Sequence, residues 1–349
     1  HVFLRRGLML VAAVGWGLRL QRGDRPVRLL LLAMLFAPTV LLMLSVPKMT
    51  FWHVLLFVWA VSILAAALAE RVSWRFALLT AAVSVWLLVA VDMMRDGVWL
   101  KRSLLSYDPM LAARFYGIGN EYMGIVVGAV ILTAALVWEW AEKHSRRWLT
   151  QWIWWGVAGG MLAWLAVMAA PWAGANAGGA VTAGVGFVTT WVFLRFPGPS
   201  PGRLLWSLLI GLLLAFMSLF VLNAWWTNDE GNGLSHVGEA WQAAGGGQWE
   251  ELRSMAVRKL ETNWRLIRHS IWTKVFALSL IVSFIVQLLP GTGRSPQMSP
   301  AWAAAFRGIL AASVAALLFN DSGIVAAATA IVYLVVPKLI LEATERSIL

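Results

Sequence analysis

Three short stretches of this chain place polar chemistry at the start of long apolar runs. They are Arg114-Phe-Tyr-Gly-Ile-Gly-Asn-Glu-Tyr-Met-Gly124, Gly174-Ala-Asn-Ala-Gly-Gly179 and Phe319-Asn-Asp-Ser-Gly323. Asparagine is a good helix N-cap, because its side-chain oxygen accepts a bond from a free backbone N–H. The partial positive charge at a helix N-terminus favours an ionised Glu121 or Asp321. Exposed N–H groups at such an end also hold anions, phosphate among them. Candidate binding groups are therefore Arg114, Asn120, Glu121, Asn176, Asn320, Asp321 and Ser322. Gly117, Gly119, Gly178, Gly179 and Gly323 would let a ligand or a second backbone approach closely.

Each residue also has a purely structural reading. Capping alone accounts for Asn120, Asn176 and Asn320. Small-residue helix packing accounts for Gly178 and Gly179, and for Gly124 with Gly128. The two acids are harder to explain this way, since a carboxylate at membrane depth is costly unless it is paired or used. Arg114 is a natural partner for either acid, or for an anionic head group.

The elements that must position these groups are transmembrane helices. Of 349 residues, 60% are hydrophobic and 13% charged, against about half and a quarter in soluble domains. Hydropathy predicts an all-α polytopic bundle over residues 1–349, with spans near 3–20, 27–46, 52–69, 76–92, 120–138, 151–170, 176–194, 204–226, 271–289, 301–319 and 324–341. Tryptophans near the span ends (Trp52, Trp74, Trp99, Trp172, Trp225, Trp226 and Trp272) read as an interfacial belt.

Basic residues set the orientation. One set of alternate connections holds Arg19, Arg22, Arg25 and Arg28; Arg71 and Arg75; Lys143, Arg146 and Arg147; Arg195 and Arg203; Arg294 and Arg307; Lys338 and Arg346. The short connections on the other side hold only Arg5, Arg6 and Lys48. The first side is expected to be cytoplasmic, with the N-terminus outside and the C-terminus inside. All three polar stretches then begin spans at the outer face.

Two longer segments, 93–119 and 227–270, fall on the outer side. In the second, Trp249, Leu252, Ala256, Leu260, Trp264, Ile267 and Ile271 recur at steps of three and four. The basic residues lie largely off that stripe. Such a helix suits either the membrane surface or the outer ends of the bundle. Arg265, Arg268 and His269 form a second tier of candidates for gripping a pyrophosphate or moving a proton.

The net charge of +11 is assigned to cytoplasmic loops and anionic lipid, so membrane lipid is the expected partner and nucleic acid is not. The chain has no cysteine, which excludes disulfides and thiolate ligands. The five histidines lack metal-ligand spacing, and no nucleotide-binding or hydrolase motif is present. No metal and no cofactor are expected. The first residue is His1 and not Met, which suggests a processed product or part of a longer protein.

Taken together, Ala113-Arg-Phe-Tyr-Gly-Ile-Gly-Asn-Glu-Tyr-Met-Gly124, Gly174-Ala-Asn-Ala-Gly-Gly179 and Asn320-Asp-Ser-Gly323 resemble the membrane-embedded C-terminal region of large, mostly uncharacterised bacterial cell-envelope proteins. In that family an extracytoplasmic alkaline-phosphatase-like domain precedes the membrane region. The resemblance implies an outside N-terminus and a phosphatase-like domain upstream as a partner. No such domain lies in this chain, so any metal-dependent hydrolysis would belong to upstream residues.

Three functions fit these readings. The leading one is an outward-facing site that binds or moves a small ion or a phosphate-bearing lipid-linked intermediate. The second is an integral-membrane transferase acting on a lipid-linked substrate at the outer leaflet. The third is a membrane anchor or scaffold for an extracytoplasmic domain. The first two require Glu121, Asn176 and Asp321 to converge.

Overall fold

The computed structural model describes residues 25–44, 50–106, 117–227, 249–288 and 299–345. Among them the chain is helical: α1 (Arg25–Met43), α2 (Phe51–Glu70), α3 (Trp74–Met93), the short α4 (Val98–Arg102), α5 (Asn120–His144), α6 (Arg147–Ala169), α7 (Ala177–Arg195), α8 (Pro201–Thr227), α9 (Trp249–His269), α10 (Ile271–Leu288), α11 (Pro300–Phe319) and α12 (Gly323–Glu345). Nine of these are long and apolar enough to cross a membrane. The last turns of α9 run into α10 through a 72° bend at Ser270, and the pair makes a tenth candidate. Helices are the expected solution, because lipid offers backbone groups no partner outside the segment itself. The ten spans expected from residue 27 onward each find their helix. The first, at 3–20, lies outside the described residues.

Local chemistry sets several helix ends. Ser73 accepts a bond from the Phe76 N–H at 3.0 Å and starts α3. Pro300 occupies the first turn of α11, where its missing N–H costs nothing. Asp92, fully buried at the end of α3, accepts from the N–H groups of Trp99 and Leu100 at 2.9 and 2.7 Å. This lone acid in an apolar helix anchors the start of α4.

Helices α5, α7 and α12 form the inside of the bundle. Their apolar windows are 83%, 72% and 83% buried, against 22% for α2 and α8. Hydrophobicity gives helices no reason to associate in lipid, so close packing through small residues must do it. A Cβ on Gly124 would collide with Ala326 O and Thr329 Oγ1 of α12, and one on Gly128 would sit 2.8 Å from Tyr333 Cβ. Gly184 of α7 and Gly211 of α8 meet backbone to backbone, and a Cβ on Gly308 of α11 would collide with Thr190 of α7. Gly124 and Gly128 therefore serve close helix packing, and Gly184 does the same between α7 and α8.

Cross-links at both ends show which helix termini share a face. At the basic end, Arg25 (3.0 Å) and Arg28 of α1 pair with Glu70 of α2. Arg75 of α3 and Lys143 pair with Glu139 of α5 at 3.2 and 2.9 Å. At the opposite end, Ser103 and Tyr122 share a 2.7 Å bond. Ser103 Oγ lies 3.1 Å from the Leu41 carbonyl, and Tyr122 donates to that of Pro38 at 3.1 Å. The starts of α5, α7 and α12 belong to this second end. Of the expected tryptophan belt, Trp52, Trp172 and Trp225 are exposed. Trp272 is instead buried, because the bend at Ser270 turns it into the bundle.

Candidate functional site: an amide and carboxylate cluster at the end opposite the basic loops

The chain enters α5 through Gly117, whose φ of +84° suits glycine alone. A Cβ there would press against the Gly174 carbonyl at 2.5 Å. That close approach lets the Ile118 N–H donate to Gly174 O at 2.8 Å, which sews the first motif to the second. Met168 and Val167 carbonyls take the N–H groups of Asn176 and Gly174 at 3.0 and 2.8 Å, folding the second motif back on α6.

Asn176 then begins α7 and caps it, accepting from the Gly179 N–H at 2.7 Å. Its amide donates to the Ile118 carbonyl at 2.9 Å and to Asn120 Oδ1 at 3.2 Å. Asn120 in turn donates to Asp321 Oδ1 at 3.0 Å. Asp321 Oδ1 also accepts the Ser322 N–H at 2.9 Å, at the entrance to α12. An unbroken line of side chains thus runs Asp321–Asn120–Asn176, from an exposed carboxylate to a buried amide.

Two caps expected from the sequence take other roles. Gly119, not Asn120, is the N-cap of α5. Asn120 sits one position inside the helix, where its side chain reaches across to neighbouring motifs. Asn320 ends α11 as its C-cap and does not start α12. Its amide donates to Thr182 Oγ1 of α7 at 3.1 Å and to the Ala316 carbonyl at 3.3 Å. Thr182 donates to the Gly178 carbonyl at 2.8 Å. A side chain on Gly178 would collide with Asn320 Oδ1, and one on Gly323 would press on the Ala316 carbonyl at 2.5 Å. These glycines bring polar groups together and do not hold a space open.

Glu121 lies in the first turn of α5, 5% exposed, where the N-terminal dipole favours its charge. A Cβ on Gly119 would come 3.2 Å from Glu121 Oε2, so the glycine leaves that carboxylate its place. Arg114 lies outside the described residues. Two groups that the sequence reading passed over join the cluster, Thr182 and Asn263. Asn263 of α9 donates to the carbonyls of Leu317 (2.9 Å) and Asn320 (3.4 Å), which lays α9 across the end of α11. Its position was legible: an amide three after Leu260 and four before Ile267 interrupts the apolar stripe.

The second-tier residues stand apart. Successive helix positions turn by roughly 100°, which places Arg265 on the side of α9 away from Asn263. Arg265, Arg268 and His269 are exposed, with Arg268 stacked over Trp264 at 4.6 Å. The stripe of α9 is split in the same way. Leu266 and Ile267 pack on the core, whereas Trp249, Leu260 and Trp264 face outward.

Fold and site together define a polytopic helix bundle with a polar cluster joining three helix junctions at one end. No protein-family model matches the chain, and no curated protein or solved structure does.

Proposed function

We propose that the chain is a multi-pass protein of the bacterial inner membrane whose cluster is an outward-facing site for a small cation, bound there or passed through. The observation that carries this is a carboxylate bonded to a line of two amides, Asp321–Asn120–Asn176, with a second, buried acid at the same helix end. Asp321 is exposed and bonded to Asn120, Asn176 is linked to Asn120 behind it, and Glu121 is buried in the same first turn of α5. Carboxylate and amide oxygens are ligands for hard cations, and a buried acid at the same end of the bundle as an exposed one suits stepwise transfer of a proton or ion. The outward orientation rests on the basic residues at the other end, with the N-terminus outside and the C-terminus cytoplasmic.

The test uses the purified protein in liposomes, with proton, sodium and potassium gradients read by fluorescent dyes. Glu121→Gln and Asp321→Asn should each abolish the gradient-driven signal while the protein keeps its thermal unfolding transition. Unchanged flux in both folded variants sinks the proposal.

A second reading is favoured by α9. Its outward Trp249, Leu260 and Trp264, together with Arg265 and Arg268, are the composition of an interfacial helix facing phosphate-bearing lipid. The helix also touches the cluster through Asn263. In this reading the site receives a lipid-linked cell-envelope intermediate, for transport or for transfer, and an upstream phosphatase-like domain would act beside it. Binding of an undecaprenyl phosphate probe, lost in Arg265→Gln/Arg268→Gln and retained in Glu121→Gln, separates it from the cation reading. A pure anchor predicts neither flux nor probe binding.

A further inference from the structure

The basic end of the bundle holds a second concentration of charge that ion pairing does not use. Arg203, in the first turn of α8, and Arg307, in the second turn of α11, converge on one ring: their guanidinium carbons lie 5.7 and 4.8 Å from the centre of Phe193 in α7. Arg195 lies 5.7 Å over the adjacent Phe196. Acids neutralise several other arginines of this end, as Glu70 does for Arg25 and Arg28 and Glu139 for Arg75. They cannot come here from the local chain, which carries no Asp or Glu between Glu142 and Asp229 or between Glu261 and Asp321. Among the described residues, no carboxylate lies within ion-pair distance of Arg195, Arg203 or Arg307.

The two guanidinium groups differ in what they still lack. Arg203 Nη1 donates to the carbonyls of Phe196 and Pro197 at 2.6 and 3.3 Å, which fixes the fork in place. Arg307 Nη1 is buried from solvent and has no hydrogen-bond acceptor. A buried charged donor without an acceptor costs free energy that a bound anion restores. Phe196, whose ring centre lies 5.9 Å from the Arg203 guanidinium carbon, is exposed, as are Leu205 and Trp206 in the first two turns of α8. One held fork and a second guanidinium with an unmet donor, beside exposed apolar side chains, match a phosphate group carried at the edge of a bilayer.

We propose that Arg203 and Arg307 form a binding site for a phosphate group between α7, α8 and α11, of the kind an anionic phospholipid headgroup presents. The site is separate from the amide and carboxylate cluster and does not depend on what that cluster does.

The experiment is native mass spectrometry of the detergent-purified protein, titrated with phosphatidylglycerol in one arm and inorganic phosphate in the other. The wild type should retain phosphatidylglycerol, and Arg203→Gln/Arg307→Gln should weaken it by about tenfold or more. Arg146→Gln/Arg147→Gln removes the same charge from another exposed connection of this end and should leave retention unchanged. Failure of millimolar phosphate to displace the lipid assigns the site to lipid; displacement assigns it to a free phosphate compound. Equal retention by the wild type and Arg203→Gln/Arg307→Gln overturns the proposal. So does an equal loss in the two double variants, or a wild type that retains neither probe. Should the double variant not fold, Arg203→Gln alone is measured: weakened retention supports the site and unchanged retention overturns it.

Discussion

Asn120 and Asp321 are 201 positions apart in the chain and joined side chain to side chain, Nδ2 to Oδ1, at 3.0 Å. Behind that contact, Asn120 Oδ1 accepts from Asn176. One amide therefore uses both of its ends to tie the start of α5 to the starts of α7 and α12. Polar side chains join helices in this way where hydrophobicity cannot.

The cluster should divide by chemistry when it is mutated. Asn176→Asp keeps the oxygen that caps α7 and loses both donor contacts, whereas Asn176→Ala loses cap and contacts together. The alanine variant should be less stable by about 1–2 kcal/mol and the aspartate variant should fall between it and the wild type, read as thermal unfolding in detergent. Equal losses would mean that capping contributes nothing at this position.

Asp92 makes a sharper local case. Its two oxygens each accept one N–H at the start of α4, so Asp92→Ala leaves both donors without their partner. A loss of about 1–3 kcal/mol is expected. Hydrogen exchange should show the change in the N–H groups of Trp99 and Leu100 before it appears in the bundle.

Glycine substitutions should separate by contact. Gly211 meets the backbone of Gly184 and Val185, which cannot move aside, and Gly211→Val should cost about 1–3 kcal/mol or prevent assembly. Gly160 of α6 has open space around it, and Gly160→Ala should leave the unfolding temperature unchanged or raised.

Orientation has a direct test because the chain has no native cysteine. Met94, 87% exposed just after α3, and Arg71, exposed just after α2, sit at opposite ends of the bundle. In intact cells a membrane-impermeant thiol reagent should label Met94→Cys, and Arg71→Cys only after permeabilisation. The reverse pattern would invert the proposed topology and place the cluster inside.

The positions of the helices were legible in hydropathy alone, because a span must carry about twenty apolar residues and nothing else in this chain has that length. Asn176 as the cap of α7 was also readable, since its role needs only the N–H three residues later. What Asn120 and Asn320 do was not. Their amides face partners 56, 138 and 201 positions away, and local spacing carries no record of those contacts. Asp92 is the converse, an acid whose partners are only seven and eight residues on but exist only because the chain turns back between α3 and α4. The glycines show the division most plainly. Gly160 and Gly211 both interrupt apolar helices, and only the neighbour across the helix interface makes one of them dispensable and the other not. Hydropathy acts along a single helix and is written in the chain; the side-by-side fit of helices depends on which surfaces meet, and the folded bundle alone decides that.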